Sequence, residues 1–192
     1  MRILLAFLFL STILHAQSGQ KPPAPVQDSD DKCYHNGKLK PSERLKNYPF
    51  NEAQKVLLVS FDEEADWEKQ HGTGGLIENY TPVFRDTLFE NKLHEKQQLS
   101  KAGIDSLTDV LYSFSYKKTP SVEKDKDCYQ PRNAIVFINK DGQAFAFIEV
   151  CFECQNYKTS DAKILTGDFC EGKYELLRNF FKKEGIKTGV VK

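Results

Sequence analysis

Three cysteines lie at the open end of one predicted β-hairpin, and this arrangement constrains the fold more than any other feature of the chain. The apolar runs 133–138 and 144–150 flank Lys140-Asp-Gly-Gln143, and Asp-Gly is a strong hairpin-turn signal. A turn centred on Asp141 and Gly142 places residue 133 opposite 150, and Cys128 opposite residue 155. The register therefore predicts that Cys128 lies close to the Cys151-x-x-Cys154 pair.

The N-terminal residues predict export. A basic start, Met1-Arg2, precedes an apolar stretch over residues 3–14, and small Ala16 suits a cleavage site before Gln17. We therefore assign residues 1–16 to a signal peptide. Residues 17–31 are polar and rich in proline, which predicts a disordered tether. Residues 32–192 form one predicted α+β domain.

Charge and hydropathy narrow the class of partner. The chain has 27 basic and 27 acidic residues, so it lacks the positive charge expected for binding nucleic acid. No second apolar run of membrane length follows the signal peptide, which predicts no membrane association after cleavage. The expected location is the periplasm or the extracellular space, where disulfides are the default state of cysteines.

Hydrophobic periodicity predicts the remaining elements. Residues 54–61 form a short apolar run typical of a buried strand, and 88–99 predicts a second strand. Ser100 is a suitable N-cap for a helix, since apolar residues then recur at helical spacing. A second helix is expected to begin at Asp168, with Glu171 completing a capping box, and to end at Gly185.

These elements predict an α+β fold with a mainly antiparallel sheet. The hairpin at about 133–150 is apolar on both faces, so it is expected at the centre of the sheet. The two helices are expected to pack on one face of that sheet.

The five cysteines admit three interpretations. In the first they are structural: Cys128 bonds to Cys151 or Cys154, or Cys170 ties the last helix to the sheet. Cys170 lies on the apolar stripe of the predicted helix and is expected to approach the other three. Cys33 is then the odd cysteine and is expected to remain apart.

In the second interpretation the cysteines hold a metal. Cys151-x-x-Cys154 has the spacing of a zinc knuckle, and Cys128 with Cys170 would complete a four-sulfur set. A second close pair is missing, and export disfavours four reduced thiols. We therefore expect no cofactor, with zinc as the alternative.

In the third interpretation Cys151 and Cys154 exchange thiol and disulfide. Redox pairs of this spacing are usually activated at a helix N-terminus, whereas this pair ends a strand. Glu149 and Glu153 lie close in sequence and disfavour a thiolate.

The C-terminal third of the chain resembles a group of exported bacterial proteins of unknown function. The resemblance rests on Cys128-Tyr-Gln-Pro-Arg-Asn-Ala-Ile-Val-Phe137, Ile148-Glu-Val-Cys-Phe-Glu-Cys154 and Gly167-Asp-Phe-Cys170. It implies no activity, but it draws attention to Arg132, which could bind an anion, stabilise a thiolate or pair with a glutamate. Where relatives carry histidine after the arginine, this chain has Asn133.

The sequence thus predicts an exported, cysteine-stabilised domain that serves as a binding or structural module and is not an enzyme. The alternative is a thiol-redox or metal-thiolate protein that uses Cys151-x-x-Cys154. The candidate site consists of Cys128, Cys151, Cys154 and Cys170, with Arg132 beside them.

Overall fold

A computed structural model describes residues 32–37, 39–61, 82–117, 128–170 and 172–190. The predicted signal peptide and tether lie outside these residues. In chain order, the elements of the described part are β1 Cys33–His35, α1 Pro41–Arg44, β2 Lys55–Phe61, β3 Val83–Phe84, β4 Thr87–Leu88, a 3₁₀ turn Glu90–Lys92, β5 Leu93–Gln98, α2 Lys101–Ser113, β6 Phe114–Tyr116, β7 Asn133–Ile138, β8 Ala144–Cys151, β9 Asn156–Thr159 and α3 Lys173–Lys183.

The fold is α+β with antiparallel sheets, as the sequence predicts. Within the described residues, the main sheet has five strands in the order β5-β2-β7-β8-β9, so the hairpin β7–β8 lies inside it. Strand β1 pairs with β6, and β3 pairs with β4, in two further small sheets. The predicted strand over 88–99 is shorter than expected, because the 3₁₀ turn separates β4 from β5.

The register of the hairpin agrees with the prediction. Asn133 pairs with Val150, and Ile135 pairs with Ile148, before the register shifts next to the turn. Gly142 has a φ of +80°, which favours glycine. The side chain of Asn139 accepts hydrogen bonds from the backbone N–H groups of Asp141 and Gln143, each at 2.9 Å, and so fixes the loop.

Alternating residues of the main sheet face two apolar clusters. One face contributes Leu58, Ile135 and Ile148 to a cluster that also contains Leu107 of α2 and Leu177 of α3. The opposite face contributes residues to a smaller cluster against which β3 and β4 pack; its buried members are Leu57, Val59, Phe61, Ala134, Val136, Ile138, Ala144 and Phe147. Both faces of the hairpin are therefore buried, which explains why its strands are apolar apart from the buried residues Asn133 and Glu149.

One helix boundary agrees with the sequence and another does not. Ser100 caps α2, and its side chain accepts a hydrogen bond from the N–H of Gly103 at 3.1 Å. The prediction that the last helix begins at Asp168 is wrong, because α3 begins at Lys173, after Gly172. Residues 168–170 form neither a helix nor a strand, and Gly172 is the N-cap of α3.

Candidate functional site

A disulfide closes the hairpin at its open end. Cys128 bonds to Cys154, with 5.5 Å between the two Cα atoms. Cys128 precedes β7, and Cys154 lies in the tight turn between β8 and β9, where Gln155 adopts a φ of +49°. The hairpin register brings these positions together, as the sequence predicts. We call this end of the hairpin, residues 128–130 and 151–155, the hairpin mouth.

Cys151 lies beside this disulfide as a free thiol. It is the last residue of β8, and its exposed fraction is 1%. Its thiol donates to the backbone carbonyl of Gln130 at 3.3 Å, and its sulfur accepts the backbone N–H of Cys154, also at 3.3 Å. The three cysteines of the hairpin mouth differ in their exposure to solvent: Cys128 is exposed, Cys154 is half-buried and Cys151 is buried.

A buried carboxylate lies on the same face of β8, two residues before the free thiol. Glu149 is fully buried, and the hydroxyl of Tyr129 donates to it at 2.7 Å. Lys158 pairs with Glu149 in the β8–β9 register, and its ammonium lies 4.4 Å from the centre of the Tyr129 ring. A buried carboxylate requires such partners, because an isolated charge is costly away from water. These contacts also hold Tyr129, the residue after Cys128, against β8 and β9.

Arg132 is half-buried and lies immediately before β7. Its carbonyl accepts the N–H of Phe61 at 3.0 Å. A Cβ placed on Gly189 would lie 2.9 Å from the Cβ of Arg132. The C-terminal segment, residues 184–190 after α3, therefore passes directly over Arg132. Its role as a partner of an anion or a thiolate stays a prediction.

The expectation for the other two cysteines is wrong. Cys33 does not remain apart but forms a disulfide with Cys170, with 5.2 Å between their Cα atoms and 137 residues between them in sequence. Cys170 precedes α3 instead of lying on its apolar stripe, and its bond to Cys33 ties it to β1. Cys170 therefore does not join Cys128, Cys151 and Cys154 in a single set of free sulfurs.

This pairing also removes the proposed zinc ligands. Three of the four sulfurs in the predicted set, Cys128, Cys154 and Cys170, are in disulfides and cannot serve as thiolate ligands. Among the described residues, no group of three or more histidine, cysteine, aspartate or glutamate side chains is arranged to hold a metal ion.

A groove lies next to the Cys33–Cys170 disulfide. Its volume is about 480 Å³, and its lining residues are Lys32, Cys33, Phe114, Gly172, Glu175, Leu176 and Asn179. A Cβ on Gly172 would lie 3.6 Å from the sulfur of Cys33, so a glycine here lets α3 approach the disulfide closely. The groove combines apolar side chains with one cation, one anion and one amide. It could not be predicted from the sequence, because its lining residues come from distant parts of the chain.

A buried lysine connects α2 to α3 near the same disulfide. Lys173 has no exposed surface, and its ammonium donates to the carbonyl of Leu111 at 2.7 Å and lies 5.3 Å from the centre of the Phe169 ring. Burial lowers the pKa of Lys173 to about 8, and Asp168 opposes this shift. Sequence reasoning missed this residue because a lysine at the start of a helix is usually exposed to solvent.

A second carboxylate holds the C-terminal segment onto the sheet. Glu95 accepts hydrogen bonds from the backbone N–H groups of Lys187 and Thr188 and from the hydroxyl of Ser60, at 2.9–3.1 Å. Burial alone would raise the pKa of Glu95, but these hydrogen bonds outweigh it and the pKa is lowered. Asn133 adds a hydrogen bond to the carbonyl of Thr188 at 3.0 Å. In this chain, the position after Arg132 therefore anchors the C-terminal segment.

Comparison with models of known protein families, with curated proteins and with solved structures finds no match. None of the helices in the described part of the chain has the length and apolar character needed to span a membrane.

Proposed function

We propose that this protein is an exported binding or structural module that functions in an oxidising compartment, without enzymatic chemistry of its own. The observation that carries this proposal is the use of four of the five cysteines in two disulfides, since such bonds persist outside the reducing cytoplasm. The N-terminal sequence, with its basic start and apolar stretch over 3–14, supports export independently.

The buried polar groups in and beside the hairpin mouth support a structural role. Glu149 accepts from Tyr129, and the thiol of Cys151 donates to the backbone of Gln130. Both groups are buried and are used to hold strands and loops together. Their partners are protein groups of the same domain, which is typical of structural polar networks.

The groove next to Cys33–Cys170 supports the proposed binding role. Its volume of about 480 Å³ falls in the range of small-molecule sites. Phe114 and Leu176 supply apolar contact, while Lys32 and Glu175 supply one charge of each sign. These features fit a small amphipathic molecule.

Export can be tested with the full chain in a bacterial host that has a periplasm. Mass spectrometry of the exported protein should find an N-terminus at Gln17 or within a few residues of it. Titration of the denatured protein should find a single thiol, because four cysteines are in disulfides. A control chain without residues 1–16, kept in the cytoplasm, should retain its thiols. Intact Met1 on exported protein, or no oxidised cysteines, would contradict the proposal.

The groove can be tested with 8-anilinonaphthalene-1-sulfonate, a fluorescent amphipathic probe. Leu176→Glu should abolish most of the fluorescence increase, because it places a charge among the apolar lining residues. Leu165→Glu is a matched control, since Leu165 is 60% exposed and is not among the residues that line the groove. Equal binding by both variants, or no binding by the native protein, would argue against a binding role for this groove.

A further inference from the structure

The free thiol and the disulfide of the hairpin mouth share one tight turn. The sulfur of Cys151 lies 3.3 Å from the backbone nitrogen of Cys154. Only three covalent bonds, N–Cα, Cα–Cβ and Cβ–Sγ, separate that nitrogen from the sulfur that bonds to Cys128. Two residues lie between the cysteines, and pairs of this spacing are found as disulfides in oxidoreductases. A free thiol and a disulfide are therefore neighbours in the folded protein.

Of the two cysteines that could bond to Cys154, Cys128 is the one that lies outside the strands and helices. Cys128 is exposed, and residues 128–130 belong to neither a helix nor a strand. Cys151, in contrast, is the last residue of β8 and is buried. The hydrogen bond from Cys151 to the carbonyl of Gln130 links it to the same short segment. Moving that segment outward breaks this hydrogen bond and the one from Tyr129 to Glu149, and it separates Cys128 from Cys154, while the strand that carries Cys151 stays paired.

We propose that the hairpin mouth is a site of thiol–disulfide exchange, in which Cys151 displaces Cys128 from Cys154. Cys151 gives up its proton to water, and its thiolate attacks the sulfur of Cys154. The Cys151–Cys154 bond forms as the Cys128–Cys154 bond breaks. Cys128 leaves as a thiolate and takes up a proton from water. The number of disulfides is unchanged, so the step requires neither an oxidant nor a reductant.

The exchange converts a buried thiol into an exposed one. In the isomer with the Cys128–Cys154 bond, the free sulfur has 1% exposure and points to a backbone carbonyl. In the other isomer, the free sulfur is that of exposed Cys128. This thiolate can attack a small disulfide such as oxidised glutathione. A mixed disulfide then forms on Cys128, and one molecule of glutathione leaves as a thiolate.

This activity goes beyond the proposed function, because a purely structural module needs only one disulfide isomer. It also assigns a role to the spare fifth cysteine, which a structural interpretation leaves without a sulfur partner.

The experiment alkylates the native exported protein with iodoacetamide at pH 8, quenches with acid and maps peptides without reduction. We expect most of the label on Cys128, together with a Cys151–Cys154 disulfide. A parallel sample, unfolded in urea and alkylated with N-ethylmaleimide at mildly acidic pH, should show the label on Cys151, since maleimides still react with thiols under conditions in which exchange is slow. Label on Cys151 alone in the native sample, with Cys128–Cys154 intact, would overturn the proposal, as would a native protein that takes no label.

Oxidised glutathione provides a second measurement. The native protein should gain one glutathionyl group, located on Cys128 by peptide mapping. Cys151→Ser is the matched control: it keeps both disulfides and removes the attacking sulfur, so it should gain none. Modification of Cys128 to the same extent in both proteins would show that Cys151 takes no part, and an unmodified native protein would contradict exchange.

Discussion

The two disulfides of this domain connect very different parts of the chain. Cys128–Cys154 joins residues 26 apart in sequence across a hairpin whose own hydrogen bonds already bring them close. Cys33–Cys170 joins residues 137 apart, and it fixes the N-terminal strand to the segment just before the last helix. The first reinforces a local structure, whereas the second holds together elements that no local interaction would bring into contact.

This difference has an energetic consequence. A disulfide limits the entropy of the unfolded chain, and the effect grows with the length of the loop that it closes. For loops of 26 and 137 residues, this relation gives about 3.5 and about 5 kcal/mol respectively. The long-range bond is therefore expected to contribute more to the stability of the domain than the hairpin bond.

The largest predicted effect comes from removing the long-range disulfide. Cys33→Ala with Cys170→Ala should lower the free energy of unfolding by about 5 kcal/mol, because the unfolded chain regains the entropy of a long loop. Cys128→Ala with Cys154→Ala should lower it by about 3.5 kcal/mol. Urea unfolding of both double variants beside the native protein measures the two values.

The order of these two values tests whether the long-range disulfide stabilises the domain more than the hairpin disulfide does. If the Cys128/Cys154 variant is the less stable of the two, the hairpin disulfide contributes more than its loop length implies, and the distinction between a local and a long-range bond fails.

Replacing a glycine should have a smaller effect on stability, and its size should differ between two positions. Gly167 lies three residues before Cys170, and Gly142 lies in the hairpin turn. Gly167 has a φ of +63°, and a Cβ there would lie 2.4 Å from the carbonyl oxygen of Leu111. Gly142, in the hairpin turn, has a φ of +80° and open space around it. Gly167→Ala should therefore cost about 3 kcal/mol, from strain and overlap, and Gly142→Ala about 1 kcal/mol, from backbone strain alone. Thermal unfolding of the two variants measures the difference, and equal costs would contradict the close approach at Gly167.

The same contrast explains what the sequence could predict. The Asp141-Gly142 turn sets the hairpin register locally, and that register is enough to place Cys128 next to Cys154. Ser100 likewise marks the start of α2 with a single local hydrogen bond.

The long-range features could not be predicted in this way. The pairing of Cys33 with Cys170 depends on how β1 and α3 pack, and neither element indicates its partner. Asp168 with Glu171 matches the pattern of a capping box, but residues 168–170 form no helix, Cys170 bonds to Cys33, and α3 begins only at Lys173. Burial of Lys173 depends on the same packing and has no counterpart in the local sequence.

The smallest effect concerns the pH dependence of this buried lysine. The pKa of Lys173 is lowered to about 8 in the folded protein, below its ordinary value of about 10.4. Between these values the unfolded state holds more protons, so stability rises with pH across this window. The native protein should gain about 1 kcal/mol per pH unit relative to Lys173→Met between pH 8 and 10. Denaturant unfolding at several pH values measures both slopes, and parallel slopes would show that Lys173 stays charged.

Our main conclusion is that one disulfide joins the two ends of the domain and shares no cysteine with the hairpin mouth. Peptide mapping of the exported protein tests it most directly. The protein is unfolded and alkylated at acidic pH, digested without reduction, and its linked peptides are identified by mass spectrometry. We expect one linked pair of peptides that contains Cys33 and Cys170. Cys128, Cys151 and Cys154 should be bonded only to one another or be alkylated. A free Cys33, or a bond from Cys170 to any of the three cysteines of the hairpin mouth, would contradict it.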